Sequence, residues 1–370
     1  MWRYRVVSAL LLSLLLVSYS GLSQVAFSFK LETLSNDLQR PWGIEVLADD
    51  SIVITERDGD IRAYKDGQLS KAISGLPRVY NAGQGGLLDV ISHPNFADNN
   101  WVYFTMSVGS ATKNATQLVR AKWNGADLKE VEILYRAAPN KKQAYHFAGR
   151  MSFLPDNSLV FGVGDGYFYK DEAQTLDNHL GKIIRLTDSG NVPVNNPFVN
   201  NKEAESAIYS YGHRNPQGMF YDKRRGVLFS NEHGPKGGDE INIIRAGLNY
   251  GWPAITYGVD YSGAVISDFT HKPGMEQPLF QWTPSIAPSS MLVYYGDEFP
   301  QLKGHILTTT LKYQELRLVE LKGKQANLSV GGQQTFLKGR GERIRDIDID
   351  SQGRIYLVTD SGLLWRISKK

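Results

Sequence analysis

Cysteine is absent from all 370 residues, which removes disulfides, thiolate nucleophiles, iron–sulfur ligation and cysteine lipidation at a stroke. Charge of one sign is also scarce. The formal net charge is +3 with no basic run or stripe, so nucleic acid is excluded as a partner. No Gly-x-Gly-x-x-Gly follows a strand to open a helix and no Walker loop is present, so nothing points to a nicotinamide or nucleotide enzyme. Long hydrophobic runs are missing too. The apolar stretch from Val6 to Val17 is too short for a comfortable membrane span. With Arg3 and Arg5 before it and small or polar residues from Ser18 to Ser23 after it, residues 1–23 read as a secretory signal peptide, with cleavage after Ser20, Ser23 or Ala26. The expectation is a periplasmic protein, with residues 27–370 forming one domain and no membrane span left after cleavage. An uncleaved anchor is the competing reading.

Glycine and aromatic residues are abundant: 36 Gly, 19 Tyr and 7 Trp favour many turns and strands over long helices. A strand–turn–strand–strand pattern recurs six times. Its second strands begin near Ser51, Trp101, Ser158, Gly226, Gly304 and Gly353. A period of about 50 to 80 residues is long for a solenoid and suits four-stranded propeller blades with loop insertions. The fold expected is therefore all-β, a six-bladed β-propeller in a single domain. Two stacked β-sandwich domains would need a mid-chain linker, and no Pro/Ser-rich stretch supplies one.

One stretch, from Ile208 to Tyr257, is too polar for core strands. It reads strand, turn, strand, polar turn, strand, and places Arg214, Asn215, Glu232, His233, Asp239 and Glu240 at strand mouths. Gly234 and Pro235 offer carbonyl oxygens in a sharp bend, which suits a hard cation such as calcium. Glu240, the Tyr250 carbonyl and Asp260 form a second, weaker oxygen-rich set; Asp260 could equally cap a turn. If the first strand of each repeat lines the channel, the leading ends gather Arg40, Gln84, His146 with Arg150, Arg214 with Asn215, Ser285, and Arg343 with Arg345. The far ends of the second strands add Glu56, Asp165, His233, Lys312 and Asp360. Cations crowded at one mouth repel one another unless carboxylates pair with them or a polyanion binds between them. His146 near Asp165 has the make-up of a general base held by a carboxylate.

These residues fall in an order that resembles the quinoprotein sugar dehydrogenases of the glucose/sorbosone dehydrogenase family, and most of all its periplasmic aldose sugar dehydrogenases. The resemblance rests on Gly85-Gly-Leu-Leu-Asp89, His146-x-x-Gly-Arg150, Gly164-Asp165, Tyr211-Gly-His-Arg-Asn-Pro-Gln-Gly218, Glu232-His-Gly-Pro235, Asn249-Tyr-Gly-Trp-Pro253, Ala287-Pro-Ser-Ser290 and Arg343-x-Arg345. It implies a six-bladed propeller that binds pyrroloquinoline quinone (PQQ) and calcium and oxidises aldoses at C1 to lactones, passing electrons to an external acceptor. It further implies that His146 takes the C1 hydroxyl proton, Asp165 orients His146, and Arg214 stabilises charge on the quinone. Asn215, Lys312, Arg343 and Arg345 would hold the cofactor, with His233, Asp239 and Ser285 beside it; His233 stands where glucose-oxidising members have Gln, and Ser285 where they have Thr. The Gly234 and Pro235 carbonyls would ligate calcium. Two other readings stay open at this point. A calcium-dependent lactonase would need Glu56, Asp165 and Asp360 to converge on the axis, and a non-catalytic binding propeller would need every channel cation paired with an internal carboxylate.

Overall fold

The computed structural model describes residues 28–370, so the signal-peptide expectation lies outside the described residues. Six four-stranded antiparallel sheets are arranged as the blades of a propeller. Their inner strands are Pro41–Val46, Leu87–Ser92, Met151–Phe153, Pro216–Asp222, Pro288–Val293 and Ile344–Ile349. Each is the first strand of its repeat, as the sequence pattern predicts. The stretch from Ile208 turns out to cross a blade boundary: Ile208–Tyr211 is the outermost strand of blade 3, and blade 4 begins only at Pro216.

Ring closure uses a segment to which the repeat pattern gives no role. Phe29–Ser35 pairs antiparallel with Leu364–Lys369 and becomes the outer strand of blade 6. The first and last described strands thus share one sheet, and opening the ring requires breaking that pairing. The hydrophobic core is divided accordingly. Six apolar clusters each straddle one blade boundary, for example Val53, Ile61, Val90 and Phe104 between blades 1 and 2, and Ile44, Ile54, Val358 and Leu364 between blades 6 and 1.

Inner strands of neighbouring blades do not pair as sheets, so their edge groups need other partners. Side chains provide them at every boundary. Thr55 donates to the Leu88 carbonyl, Thr105 to Gly149, Asn231 to Ser290 and Ser289 to Ile344; the Tyr221 and Ile44 amides donate to Ser152 and Asp346.

Arg150 ties all six blades together at the axis. It leads into the inner strand of blade 3, its guanidinium lies 4.1 Å from the Trp42 ring of blade 1, and it donates to Asp89 of blade 2 and Asp346 of blade 6, both at 2.6 Å. Further bonds reach the carbonyls of Gln217 in blade 4 and Ser289 in blade 5. The three charged groups are buried. Removing the cation strands two carboxylates, so Arg150→Met should destabilise the fold by about 3–5 kcal/mol, read from the urea unfolding midpoint. Adding Asp89→Asn and Asp346→Asn to that variant should restore part of the loss, and no recovery would mean that the ion pairs are not what Arg150 contributes.

Candidate active site

Five of the six inner strands slip register near their leading end, at Pro41/Ile44, Leu87/Val90, Pro216/Gly218, Pro288/Ser290 and Ile344/Asp346. A bulge there bends the strand and re-aims the side chains that follow. Blade 3 reaches the same end differently, through a loop in which Gln143, His146 and Ala148 all have positive φ, at 62°, 46° and 55°. Non-glycine residues held in the left-handed region cost free energy, so this loop must be fixed from outside. Lys141 does much of that. Its buried ammonium donates to Asn114 Oδ1 and to the carbonyls of Gln143 and Tyr145, at 2.7–3.3 Å, and lies 3.6 Å from the centre of the Phe147 ring. With only neutral acceptors in contact, burial pushes it down to about 7, against the pull of nearby Asp165.

The loop presents His146 to Asp165. Nδ1 of the imidazole lies 2.6 Å from Asp165 Oδ1, and both side chains are buried. Asp165 is held from two more sides: Oδ1 also accepts the Tyr167 amide, and Oδ2 accepts the Trp252 indole N–H at 2.8 Å. Because Nδ1 faces a carboxylate it carries the hydrogen, which leaves Nε2 as the basic nitrogen. No protein group among the described residues bonds to that nitrogen. Burial lowers the affinity of His146 for a proton; Asp165 opposes this, while Arg214 and Lys141 reinforce it, and the net position lies below the ordinary imidazole value. Burial pushes Asp165 up, but His146 and Arg214 outweigh it and leave the carboxyl below its usual range.

Next to this pair is a cavity of about 310 Å3 whose lining includes Trp42, Arg57, Gln84, Asn215, His233, Arg343, Arg345 and Asp360. Asp360 binds both Arg343 and Arg345, at 2.7 and 2.8 Å. Arg57 is the third lining guanidinium, and it donates only to the Gly83 and Gly85 carbonyls. Three guanidinium groups therefore face one carboxylate. Burial, then Arg345 and Arg40, make the charged form of Arg57 harder to keep. His233 Nε2 donates to the Pro288 carbonyl at 2.7 Å, and the group is pushed down to about 3 by burial and by Arg214, so it is neutral.

The remaining predicted residues fall into two groups. Arg214 donates to the His233 and Gly234 carbonyls at 3.0 and 2.8 Å, and its own amide donates to Glu232. It borders a smaller cavity with Glu232, Gly234, Glu240, Tyr250 and Trp252. Asp239 lies behind the mouth and accepts from Ser285, from the Ile286 and Ala287 amides and from the Gly234 amide, so it fastens two site loops together. Lys312 is exposed at the rim, where its amide bonds to Ile286 and its ammonium stands 5.5 Å from the Tyr313 ring; it does not line the cavity. Asp260 corrects the second cation set. It is half-buried and caps a turn by accepting from the Ser262 amide and hydroxyl, apart from the cavity that Glu240 and Tyr250 border. Glu232 is the acid that does face Glu240, directly across two paired strands. Burial and that neighbour push Glu240 up to about 8.

Arg57 was missed in favour of Glu56. The strand pleat explains the slip: Glu56 turns away to accept from the Gln39 amide and pair with Arg62, and the next side chain faces the channel. Glu56, Asp165 and Asp360 consequently do not converge, which removes the lactonase arrangement. Arg57, with no carboxylate contact, counts against the fully paired mouth that a silent propeller would need.

At the mouth of the six-bladed propeller a buried imidazole–carboxylate pair stands beside a cationic cavity, and relatives named aldose sugar dehydrogenase and quinoprotein glucose dehydrogenase make the chain an oxidoreductase acting on sugar alcohol groups. Comparison with known proteins makes this specific: the family model described as Glucose / Sorbosone dehydrogenase matches residues 38–366, and the chain belongs to that family. It is 37% identical to aldose sugar dehydrogenase YliI of Escherichia coli, over 95% of this chain and 96% of that one. The structure of the soluble aldose sugar dehydrogenase of E. coli in its apo form superposes with a TM-score of 0.87 at 36% identity, covering 93% of this chain and 100% of the other. The PQQ-bound aldose sugar dehydrogenase of Streptomyces coelicolor superposes at 0.74 with 27% identity, covering 92% and 98%.

Two proton equilibria follow from the geometry. In an NMR titration with labelled histidine, His146 should remain neutral at pH 7 and protonate only below the ordinary imidazole value. Because the Asp165 charge favours the imidazolium, Asp165→Asn should move that titration to still lower pH; a shift upward would contradict the assigned contact.

Proposed function

We propose that this protein oxidises aldoses at C1 to lactones with PQQ as hydride acceptor and calcium as a second cofactor, handing the electrons to an external acceptor. The observation that carries this reading is the His146–Asp165 pair opening beside a cavity with three guanidinium groups and one carboxylate. Such a cavity suits a small polyanion, because Arg forms bidentate bonds to carboxylates and the excess positive charge is relieved on binding. Bound PQQ supplies a two-electron acceptor for the hydride leaving C1.

Arg57, Arg343 and Arg345 would grip the cofactor's carboxylates, with Asn215 and the Gln84 amide as neutral donors and His233 as a neutral neighbour. The Asn215 side-chain oxygen already accepts the Ala148 amide, so it is oriented before anything binds. Lys312 at the rim would add a charge rather than a lining contact. Arg214 supplies positive charge next to the dyad, and Asp239 with Ser285 holds the surrounding loops. His146 Nε2 would accept the C1 hydroxyl proton, while Asp165 keeps Nδ1 protonated and stabilises the imidazolium formed.

Calcium fits on narrower grounds. The Gly234 and Pro235 carbonyls are oxygen donors of the right hardness, but Arg214 already bonds the Gly234 carbonyl, and no set of three His, Asp or Glu side chains that could hold a metal occurs among the described residues. Neutral carbonyls beside a guanidinium are a poor seat for a dication alone. Cofactor oxygens must complete it, so calcium at this place should bind tightly only with PQQ present. Glu232 and Glu240 border the adjoining smaller cavity, but burial and their mutual repulsion favour the protonated form of Glu240 there.

The deciding experiment is dye-linked oxidation of an aldose panel by the purified mature protein, with and without PQQ and calcium. Activity should require both, and silence together with no saturable PQQ binding would leave a binding propeller instead. His146→Ala should cut turnover by about 10²–10⁴-fold while PQQ still binds by absorbance titration. Arg57→Ala should weaken PQQ binding by about tenfold or more; unchanged affinity would remove Arg57 from the grip. With the base titrating below the usual imidazole range, activity should fall only on the acid side, since an imidazolium cannot accept the proton.

A further inference from the structure

Trp252 lies outside the lining of the cationic cavity, yet its side chain touches both halves of the site. It belongs to the long connection between the third and fourth strands of blade 4, Asp239–Ile244 and Phe280–Trp282, and it is buried. Its indole N–H donates to Asp165 Oδ2 at 2.8 Å, which joins blade 4 to the dyad of blade 3. Its ring face meets Arg214, whose guanidinium carbon stands 5.3 Å from the ring centre. Attraction between the cation and the ring adds to that contact.

The backbone beneath this ring is fastened on both sides. The Trp252 amide donates to the Gly212 carbonyl at 2.9 Å, and the Trp252 carbonyl accepts from the Gln174 side-chain amide at 2.7 Å. Gln174 is itself held by Asn249, through a reciprocal pair of side-chain bonds at 2.8 and 3.0 Å. The residue before the ring has to be glycine: a β-carbon on Gly251, at φ 88°, would come within 2.2 Å of Ile255 Cγ1. The indole is therefore aimed at Asp165 by its surroundings.

The donors around Asp165 govern what its carboxyl can do. Oδ1 receives the His146 Nδ1–H and the Tyr167 amide, and Oδ2 receives the Trp252 N–H. An amide and an indole only donate, so neither offers an acceptor to a protonated carboxyl. The charged or titratable groups nearest to it are His146, Arg214 and Lys141. We propose that Trp252 is a positioning residue for the oxidation: by donating to Oδ2 it keeps Asp165 ionised with Oδ1 turned to His146, so the proton taken at Nε2 stays on the imidazole. This rests on the reading that His146 takes the C1 proton. Without the indole hydrogen the carboxylate charge is less stabilised, which makes Asp165 more basic and strengthens its hold on the imidazolium. Both groups then titrate at higher pH, the opposite of the His146 shift expected for Asp165→Asn.

The test is an NMR titration of protein labelled in its histidine rings and aspartate carboxyl groups. It compares the wild type, Trp252→Phe, and a protein carrying benzothienylalanine at position 252, which keeps the bicyclic shape and replaces the N–H by sulfur. In both altered proteins the His146 and Asp165 titrations should move to higher pH, and the acid limb of aldose oxidation should follow His146. For the PQQ- and calcium-loaded enzyme, kcat should fall about tenfold while the sugar KM changes less than about twofold, because the contact counts only as charge develops on the imidazole. Titrations that stay in place, or that move to lower pH, would overturn the proposal whatever happens to kcat. A loss in Trp252→Phe that benzothienylalanine does not reproduce would also overturn it, since the ring would then matter only as packing. A change confined to PQQ affinity would assign Trp252 to the cavity instead. If the wild type oxidises no aldose, the function reading fails, and the two titrations still decide whether the indole sets the charge of Asp165.

Discussion

Arg150 is the contact on which the rest of the molecule depends. A propeller has no central strand to organise it; its inner edges meet around a channel where unpaired backbone groups would be costly. One guanidinium, planar and rich in donors, answers to all six blades at once through Trp42, Asp89, Gln217, Ser289 and Asp346. The two carboxylates it pairs then turn outward to backbone amides, Asp89 to Met151 and Asp346 to Ile44, so the ion cluster also stitches blade boundaries. Lysine could not substitute, because its point charge lacks the flat face that stacks on Trp42 and the fork that reaches several acceptors.

The same residue divides the channel. Trp42 and Gln217 line the cavity on the dyad side, while Arg150, Asp89 and Asp346 border a larger chamber of about 520 Å3 at the other end, together with Glu45 and Asp348. The far chamber gathers four carboxylates, Glu45, Asp89, Asp346 and Asp348, against the cations Arg150, Lys223 and Arg224. On the far side burial pushes Asp89 and Asp348 up to about 7 and Glu45 well above its usual range, so that chamber holds protons as well as carboxylates. On the dyad side the guanidinium groups of Arg57, Arg343 and Arg345 dominate. Arg150 lies between the two chambers, its own charge met by Asp89 and Asp346.

Much of this was legible in the sequence because the repeat is written in residues whose spacing survives insertion. Six first strands with apolar, β-favouring residues fixed the blade count and identified the channel face, and His146 and Asp165 fall at equivalent ends of adjacent strands of one blade. What the sequence hid has physical causes. Phe29–Ser35 has a half-buried pattern and no repeat partner of its own, because an outer strand covers little core and this one completes a blade begun more than three hundred residues later. Arg57 was hidden by one step of the strand pleat. Asp260 looked like a ligand because Asp serves turns and cations with the same oxygens, and only the Ser262 contact distinguishes them. Lys312 shares the channel end with the arginines, yet the chain projects it to the rim.

Charge balance at the mouth sets an order of events. Arg214 already occupies the Gly234 carbonyl, so a dication arriving first would meet a neutral donor shared with a cation. Desolvating a dication there without anionic donors is unfavourable. An anion arriving first meets the opposite situation, with excess positive charge and oriented donors, and under the proposed function its own oxygens would then supply what calcium lacks. The mouth is thus preorganised for the anion and only conditionally for the metal. Burial first, then Arg214 and Lys141, keep His146 below the ordinary imidazole value against the pull of Asp165, so the base is ready to accept a proton before anything fills the cavity.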